Sequence, residues 1–208
     1  TFYDQGLMTE EKFTAEYFDR LRKDLVINDT LKGNSFEFRT TWGLFSPKSI
    51  DNGTRLLLDH IEIRPDEQAL DLGCGYGPIG LTIAHLAPEG HCTMVDKDFV
   101  AIEYAKKNAA LNQINNVDIF LSDGCNHLKA NSSFSLVVTN LPAKTSKEHY
   151  YLFFYDAYQR MQPGARFYVV VINGLRKFIA KSFNEIFGNH KKIKQGQTYT
   201  VAMATKEN

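Results

Sequence analysis

The 208-residue sequence predicts an α/β fold, a mostly parallel sheet with helices on both faces. Three observations carry that expectation. Short apolar runs alternate with runs of helical period from residue 68 onward. The apolar runs lead to polar residues, Asp71, Asp96, Asp123 and Asn140. Between the first apolar run and the first helix lies Gln68-Ala-Leu-Asp-Leu-Gly-Cys-Gly-Tyr-Gly-Pro-Ile-Gly80, the strand, glycine turn and helix of a nucleotide-binding crossover.

Taken in order, Glu10 to Arg22 reads as an amphipathic helix through Phe13, Tyr17, Phe18 and Leu21. Leu25–Ile27 and Ser35–Arg39 read as strands, with Asn28 to Asn34 as the turn. This opening region is expected to serve as a lid, a substrate platform or an edge-capping hairpin. Thr41 to Ser46 is a loop holding the only tryptophan, Trp42, and Phe45. These two aromatics either stack on a base or fill a core. Pro47 then opens a helix capped by Ser46, burying Ile50, Thr54, Leu57, Leu58 and Ile61.

Beyond the glycine turn, strands are expected at His91–Val95, Val117–Leu121, Phe134–Val138, Arg166–Ile172 and Thr198–Ala204, the last near a sheet edge. Helices are expected at Val100–Leu111, Tyr150–Met161 and Leu175–Phe187, with Pro163-Gly164 as a turn.

Composition narrows the function. Twenty-four basic and 24 acidic residues balance, so net charge announces no polyanion partner. Any phosphate contact must come from local basic residues such as Lys144, Lys147, His190, Lys191, Lys192 and Lys194. The three cysteines, Cys74, Cys92 and Cys125, are too scattered for a disulfide framework or metal motif, which fits a reducing cytoplasm. No apolar run reaches the roughly 18 residues of a membrane span. The chain opens Thr1-Phe-Tyr-Asp, without a signal-like segment or initiator Met, so a trimmed start is expected.

Two ligand classes suit the glycine turn. Gly75-x-Gly77-x-x-Gly80 with Asp96 downstream matches a dinucleotide site and an NAD-dependent oxidoreductase. Asp71-x-Gly73-x-Gly75-x-Gly77 adds a carboxylate where a pyrophosphate would have to approach, and two anions repel. A cationic ligand is welcome there. S-adenosylmethionine carries an ammonium and a sulfonium and no phosphate, so the acid favours a methyl-donor site.

Ligands of open parallel sheets bind beyond the carboxyl ends of the strands. There Asp96 can accept ribose hydroxyls, Asp123 an adenine amine, and Asp71 an ammonium. In Thr139-Asn-Leu-Pro-Ala143, the Asn140 side chain and the Leu141 carbonyl are two acceptors. Together they can hold an exocyclic amine with its lone pair toward a sulfonium methyl.

Gly43-Leu-Phe-Ser46, Asp51-Asn-Gly-Thr-Arg-Leu-Leu-Leu58, Leu70-Asp-Leu-Gly-Cys-Gly-Tyr-Gly-Pro-Ile-Gly-Leu81 and Asn108-Ala-Ala-Leu-Asn112 strongly resemble the small-domain methyltransferases. That family includes ribosomal-RNA guanine-N2 methyltransferases. The resemblance runs from Phe36 to the end. It implies a Rossmann-like class I methyltransferase fold of seven strands over residues 41–208, with residues 1–40 as a helix-and-hairpin extension. It also implies S-adenosylmethionine at Asp71, Gly73, Cys74, Gly75, Gly77, Asp96, Lys97, Ser122, Asp123 and Asn140. Catalysis falls to Asn140, Leu141 and Pro142, and RNA binding to Trp42 and Phe45, with a small molecule or protein as the alternative substrate. One departure stands out. Amine-methylating members carry Asn-Pro-Pro and then an aromatic or apolar residue, whereas this chain reads Asn140-Leu-Pro-Ala143. A cofactor-binding protein that has lost transferase activity is therefore the rival outside the enzymes.

Overall fold

The computed structural model describes residues 13–143 and 145–207. An opening helix α1 (Ala15–Arg22) precedes a hairpin of β1 (Leu25–Leu31) and β2 (Asn34–Thr40). Then follow α2 (Asn52–His60), β3 (Gln68–Leu72), α3 (Pro78–Leu86), β4 (His91–Asp96), α4 (Phe99–Leu111), β5 (Val117–Leu121) and β6 (Phe134–Asn140). The chain finishes with α5 (Lys147–Gln159), β7 (Met161–Ile172), α6 (Arg176–Phe187), β8 (Lys191–Gln195) and β9 (Tyr199–Thr205). Seven strands form one sheet in the order β5-β4-β3-β6-β7-β9-β8. Strands β3 to β7 are parallel, and β9 runs antiparallel between β7 and β8. No helix among the described residues is long and apolar enough to cross a membrane.

Side chains alternate across the sheet, so each buried strand feeds two cores. Ala69, Cys92, Met94, Leu136, Val138 and Val170 pack under α2, α3 and α4. Leu70, Leu72, Val95, Val137, Val169 and Val171 pack under α5 and α6. The same alternation turns Asp71 toward the α3 side. Ile27, Leu31, Phe36 and Phe38 of the hairpin join the first core. The hairpin is thus packed against the sheet domain.

Several boundaries differ from the sequence reading, each for a local reason. The first helix shows its N-cap at Thr14, whose side chain accepts from the Tyr17 N–H; residues 10–12 lie outside the described set. The hairpin strands are longer than expected, and Lys32 and Gly33, both at positive φ (49° and 79°), make a two-residue turn. The helix placed at Pro47 begins at Asn52 instead. Ser46 adopts φ 48° and donates to the Ser49 carbonyl, while Asp51 accepts from the Gly53 and Thr54 N–H groups and caps the helix. Its expected buried face is nevertheless observed, with Ile50, Thr54, Leu57, Leu58 and Ile61 all buried. Helix α5, capped by Ser146, begins at Lys147, three residues ahead of the expected start. Pro163-Gly164 lies within β7, in an irregularity where the register steps from Phe134–Met161 to Leu136–Arg166. The strand Lys191–Gln195 had no counterpart in the reading. It forms the sheet edge and leaves β9 one place inside.

Candidate active site

The glycine turn leaves β3 and enters α3 at the carboxyl edge of the sheet. Gly73 and Cys74 both donate to the Val95 carbonyl, at 2.8 and 3.0 Å, which ties the turn to β4. Gly77 is the α3 N-cap at φ 105°, a conformation that needs glycine. Gly80 is required for close approach, because a Cβ there would meet Met94 Cγ at 2.7 Å and Asp71 Oδ2 at 2.9 Å. The third glycine of the dinucleotide pattern is thus a helix–strand packing position. At Gly73 and Gly75, by contrast, a Cβ would find open space.

Asp71 is fully buried. Its Oδ2 accepts from the Gly80 N–H at 2.8 Å, and its Oδ1 has no partner among the described residues. Desolvation pushes its pKa up to about 7, the Gly80 N–H opposes the rise, and the Asp96 charge adds to it. Asp96, half-buried at the end of β4, accepts from the N–H groups of Gly75 and Asp98, both at 2.9 Å. Each oxygen retains a lone pair for a further donor. Lys97 and Asp123 are exposed beside it, whereas Ser122 is buried, accepting from the His127 N–H and donating to the Gly124 carbonyl. Cys74 is buried, and desolvation holds its thiol neutral well above its ordinary pKa.

Asn140 ends β6, the strand beside β3. Its Nδ2 donates to Asp51 Oδ2 at 3.0 Å and to Thr54 Oγ1 at 3.1 Å, both at the start of α2. No described residue donates to its Oδ1. The turn after it is held by packing. The Leu141 N–H donates to the Val170 carbonyl at 3.1 Å, its side chain is buried in the second core, and Tyr150 Oη donates to the Pro142 carbonyl. A proline at 141 could not form the first of these bonds.

Trp42 and Phe45 are 44% and 66% exposed, on the turn that precedes α2. Tyr76 Oη donates to the Ser46 carbonyl at 3.2 Å and ties this turn to the glycine loop. Of the basic residues singled out in the sequence, His190 and Lys192 border a cavity of about 190 Å³ with Arg176 and Lys177, on the α6 side. Lys191 and Lys194 are also on β8, Lys147 begins α5, and Lys144 lies outside the described residues. Sequence reasoning missed the α2 cap, Asp51 and Thr54, as neighbours of Asn140. Asp51 and Thr54 lie in the quoted Asp51–Leu58 motif, but their pairing with Asn140 spans 89 and 86 residues.

A family model described as Methyltransferase small domain matches residues 35–203. The chain belongs to this family. Among its relatives is YbxB of Bacillus subtilis, a protein of uncharacterized activity, 31% identical over 180 residues covering 85% of this chain and 89% of that one. Ribosomal RNA small subunit methyltransferase C of Pseudomonas putida is 36% identical over 103 residues, covering 50% of this chain and 30% of its own. The solved T. thermophilus 16S rRNA N2-guanine methyltransferase, in complex with S-adenosylmethionine and guanosine, superposes with a TM-score of 0.81 at 25% identity. That match covers 88% of this chain and 51% of the other. The chain thus spans about half the length, or less, of the ribosomal-RNA enzymes it matches. Membership in the family sets aside the NAD-dependent oxidoreductase reading.

Proposed function

We propose that this domain transfers the methyl group of S-adenosylmethionine to an exocyclic amine of an RNA base, of the guanine-N2 type. The observation that carries the proposal is the orientation of Asn140. Its NH2 group is consumed by α2, so its carbonyl oxygen is the free end at the mouth of β6. The Leu141 carbonyl, which accepts from no described residue, supplies a second acceptor one residue on.

The residues around the glycine turn fit this cofactor. Asp71 offers a buried, unpartnered carboxylate oxygen, a poor neighbour for a phosphate and a good one for an ammonium. Gly73 and Gly75 leave their backbone open, and Asp96 and Asp123 offer acceptors to hydroxyl and amine donors. When bound, S-adenosylmethionine supplies an electrophilic methyl on a sulfonium.

Asn140 Oδ1 and the Leu141 carbonyl would accept the two amine hydrogens and aim the nitrogen lone pair. The amine nitrogen forms the new C–N bond as the S–C bond breaks, and the positive charge passes from sulfur to nitrogen. The proton then leaves to water, so no strong base is required. The contribution of the protein is orientation and acceptor placement. Loss of the first proline of the family motif does not abolish this arrangement, because Leu141 and Pro142 are fixed through Val170 and Tyr150.

The test is transfer from labelled cofactor to unmethylated ribosomal RNA by wild type and Asn140→Ala. The wild type labels RNA, and the variant loses roughly 100-fold or more in rate while binding S-adenosylhomocysteine normally. Labelling of a protein or small-molecule extract with no labelling of RNA would replace RNA with one of those substrates.

A further inference from the structure

Asp51 is assigned no part in transfer above, yet three elements converge on its carboxylate. Oδ2 accepts from the Gly53 N–H at 2.9 Å and the Thr54 N–H at 3.2 Å, which starts α2. The same oxygen accepts from Asn140 Nδ2 at 3.0 Å. Oδ1 accepts from Tyr199 Oη, at the start of β9, at 3.1 Å.

An ionised carboxylate has no hydrogen to give, so Asn140 can meet it only through its NH2 group. The other neighbour, Thr54 Oγ1, can turn its hydroxyl to donate or accept and so cannot choose between the two faces of the amide. Reversing the Asn140 amide would press its oxygen against an anion. A second effect acts in the same direction. An N–H bonded to an anion pushes electron density onto the far oxygen of its amide, as in polarised hydrogen-bond chains. The transferring amine becomes cationic as its C–N bond forms, so a more negative Asn140 Oδ1 holds the transition state more strongly than the ground state.

We infer that Asp51 is a positioning residue for methyl transfer: its charge fixes which end of Asn140 faces the reacting amine and strengthens that end as an acceptor, with Tyr199 holding the carboxylate from behind. The inference rests on Asn140 being the amine acceptor.

Asp51→Asn separates charge from shape, since asparagine is also a good N-cap. With unmethylated ribosomal RNA, kcat should fall about 10- to 100-fold. The KM for RNA and the calorimetric affinity for S-adenosylhomocysteine should stay within about twofold, as for any contact made in the transition state alone. Independently of turnover, the Asn140 side-chain NH2 resonances, identified by their loss in Asn140→Ala, should move in Asp51→Asn. Those of Asn116, which bonds only backbone carbonyls of another turn, should not. Tyr199→Phe keeps the charge and loosens its support, and should lower kcat a few-fold. Unchanged kcat and unmoved Asn140 resonances in Asp51→Asn would overturn the inference and leave Asp51 a helix cap. If Asp51→Asn does not fold, unchanged kcat and unmoved resonances in Tyr199→Phe would overturn it instead. Wild-type turnover in Asn140→Ala would overturn the reading of Asn140 itself, a different result from wild-type turnover in Asp51→Asn alone.

Discussion

Asn108 pairs with Arg39 as a neighbouring strand would. Its Oδ1 accepts from the Arg39 N–H at 2.7 Å and its Nδ2 donates to the Arg39 carbonyl at 2.9 Å. One turn of α4 later, Asn112 does the same to Glu37, at 3.1 and 2.8 Å. Two side chains thereby satisfy the outer edge of β2, which would otherwise offer open strand hydrogen bonds. Asn108 also donates to the Tyr76 carbonyl, joining the hairpin to the glycine loop.

Asn108→Ala should therefore destabilise the fold by about 1–3 kcal/mol, because Arg39 and Tyr76 lose partners in a buried place. Urea unfolding should show a lower midpoint at unchanged slope. An unchanged midpoint would mean that water replaces the amide without loss.

Asp71 is expected to link cofactor binding to pH. With its pKa raised to about 7, the free site holds a proton on much of its population at pH 6. A cationic ligand favours the ionised form, so binding releases that proton. Affinity should rise as pH increases toward 7 and level off above it, whereas an acid with a lowered pKa would already be ionised and give a flat profile over this range. For stability the sign is opposite. The native state binds the proton more tightly than the unfolded chain, so the ligand-free protein loses stability as pH rises from about 4 to 7. Calorimetry of S-adenosylhomocysteine at pH 6 in two buffers of different ionisation heat measures the released proton. Identical heats in both would refute the linkage.

Phe45→Ala should raise the KM for RNA and leave cofactor affinity and melting temperature unchanged. The ring is 66% exposed, so the fold gains little from it, while stacking on a base contributes about 1–3 kcal/mol. An unaltered KM would remove Phe45 from the substrate surface.

At the opposite end of the sheet, Arg166 and Glu67 form a buried ion pair, with Ser135 Oγ donating to Glu67 Oε2 and Arg166 Nη1 donating to the Glu62 carbonyl at 2.8 Å. Removing one partner strands the other charge, so Glu67→Ala should cost about 3–5 kcal/mol of stability. The folded fraction should keep its cofactor affinity, since the pair lies at the start of β3 and the glycine turn at its end. Loss of affinity in fully folded protein would contradict that separation.

The parts legible in the sequence were those written locally. Glycines, apolar runs and the acid ahead of the turn follow one another within Gln68–Gly80, and the strand, turn and helix they predict are found there. Val117–Leu121 was found with the expected bounds although it is an edge strand with no fully buried residue, because its Val, Ile, Phe and Leu still carry an apolar signal. Lys191–Gln195 was invisible because an edge strand with exposed lysines has almost no apolar signal. The α2 start was misplaced because a Ser-Pro pair imitates a cap, and only the three-dimensional setting shows Asp51 accepting two backbone N–H groups. At the site, the glycine turn and strand-end acids could be read directly. The orientation of Asn140 could not, since its partners lie 86 and 89 residues away in sequence.

The position of β9 has a consequence for biosynthesis. It pairs with β7 along seven residues and sends Val201 into one core and Ala202 and Ala204 into the other. Until residues 199–205 have cleared the ribosomal exit tunnel, a nascent chain holds β7 with one flank open and both cores short of a wall. The helices and the β3–β6 crossovers can form as they emerge, but the sheet is closed only afterwards, by a strand that slides in antiparallel to its neighbour. Folding of this domain is therefore completed after synthesis of its last strand. The open flank of β7 is the surface that a chaperone, or a second unfinished chain, would meet in the interval.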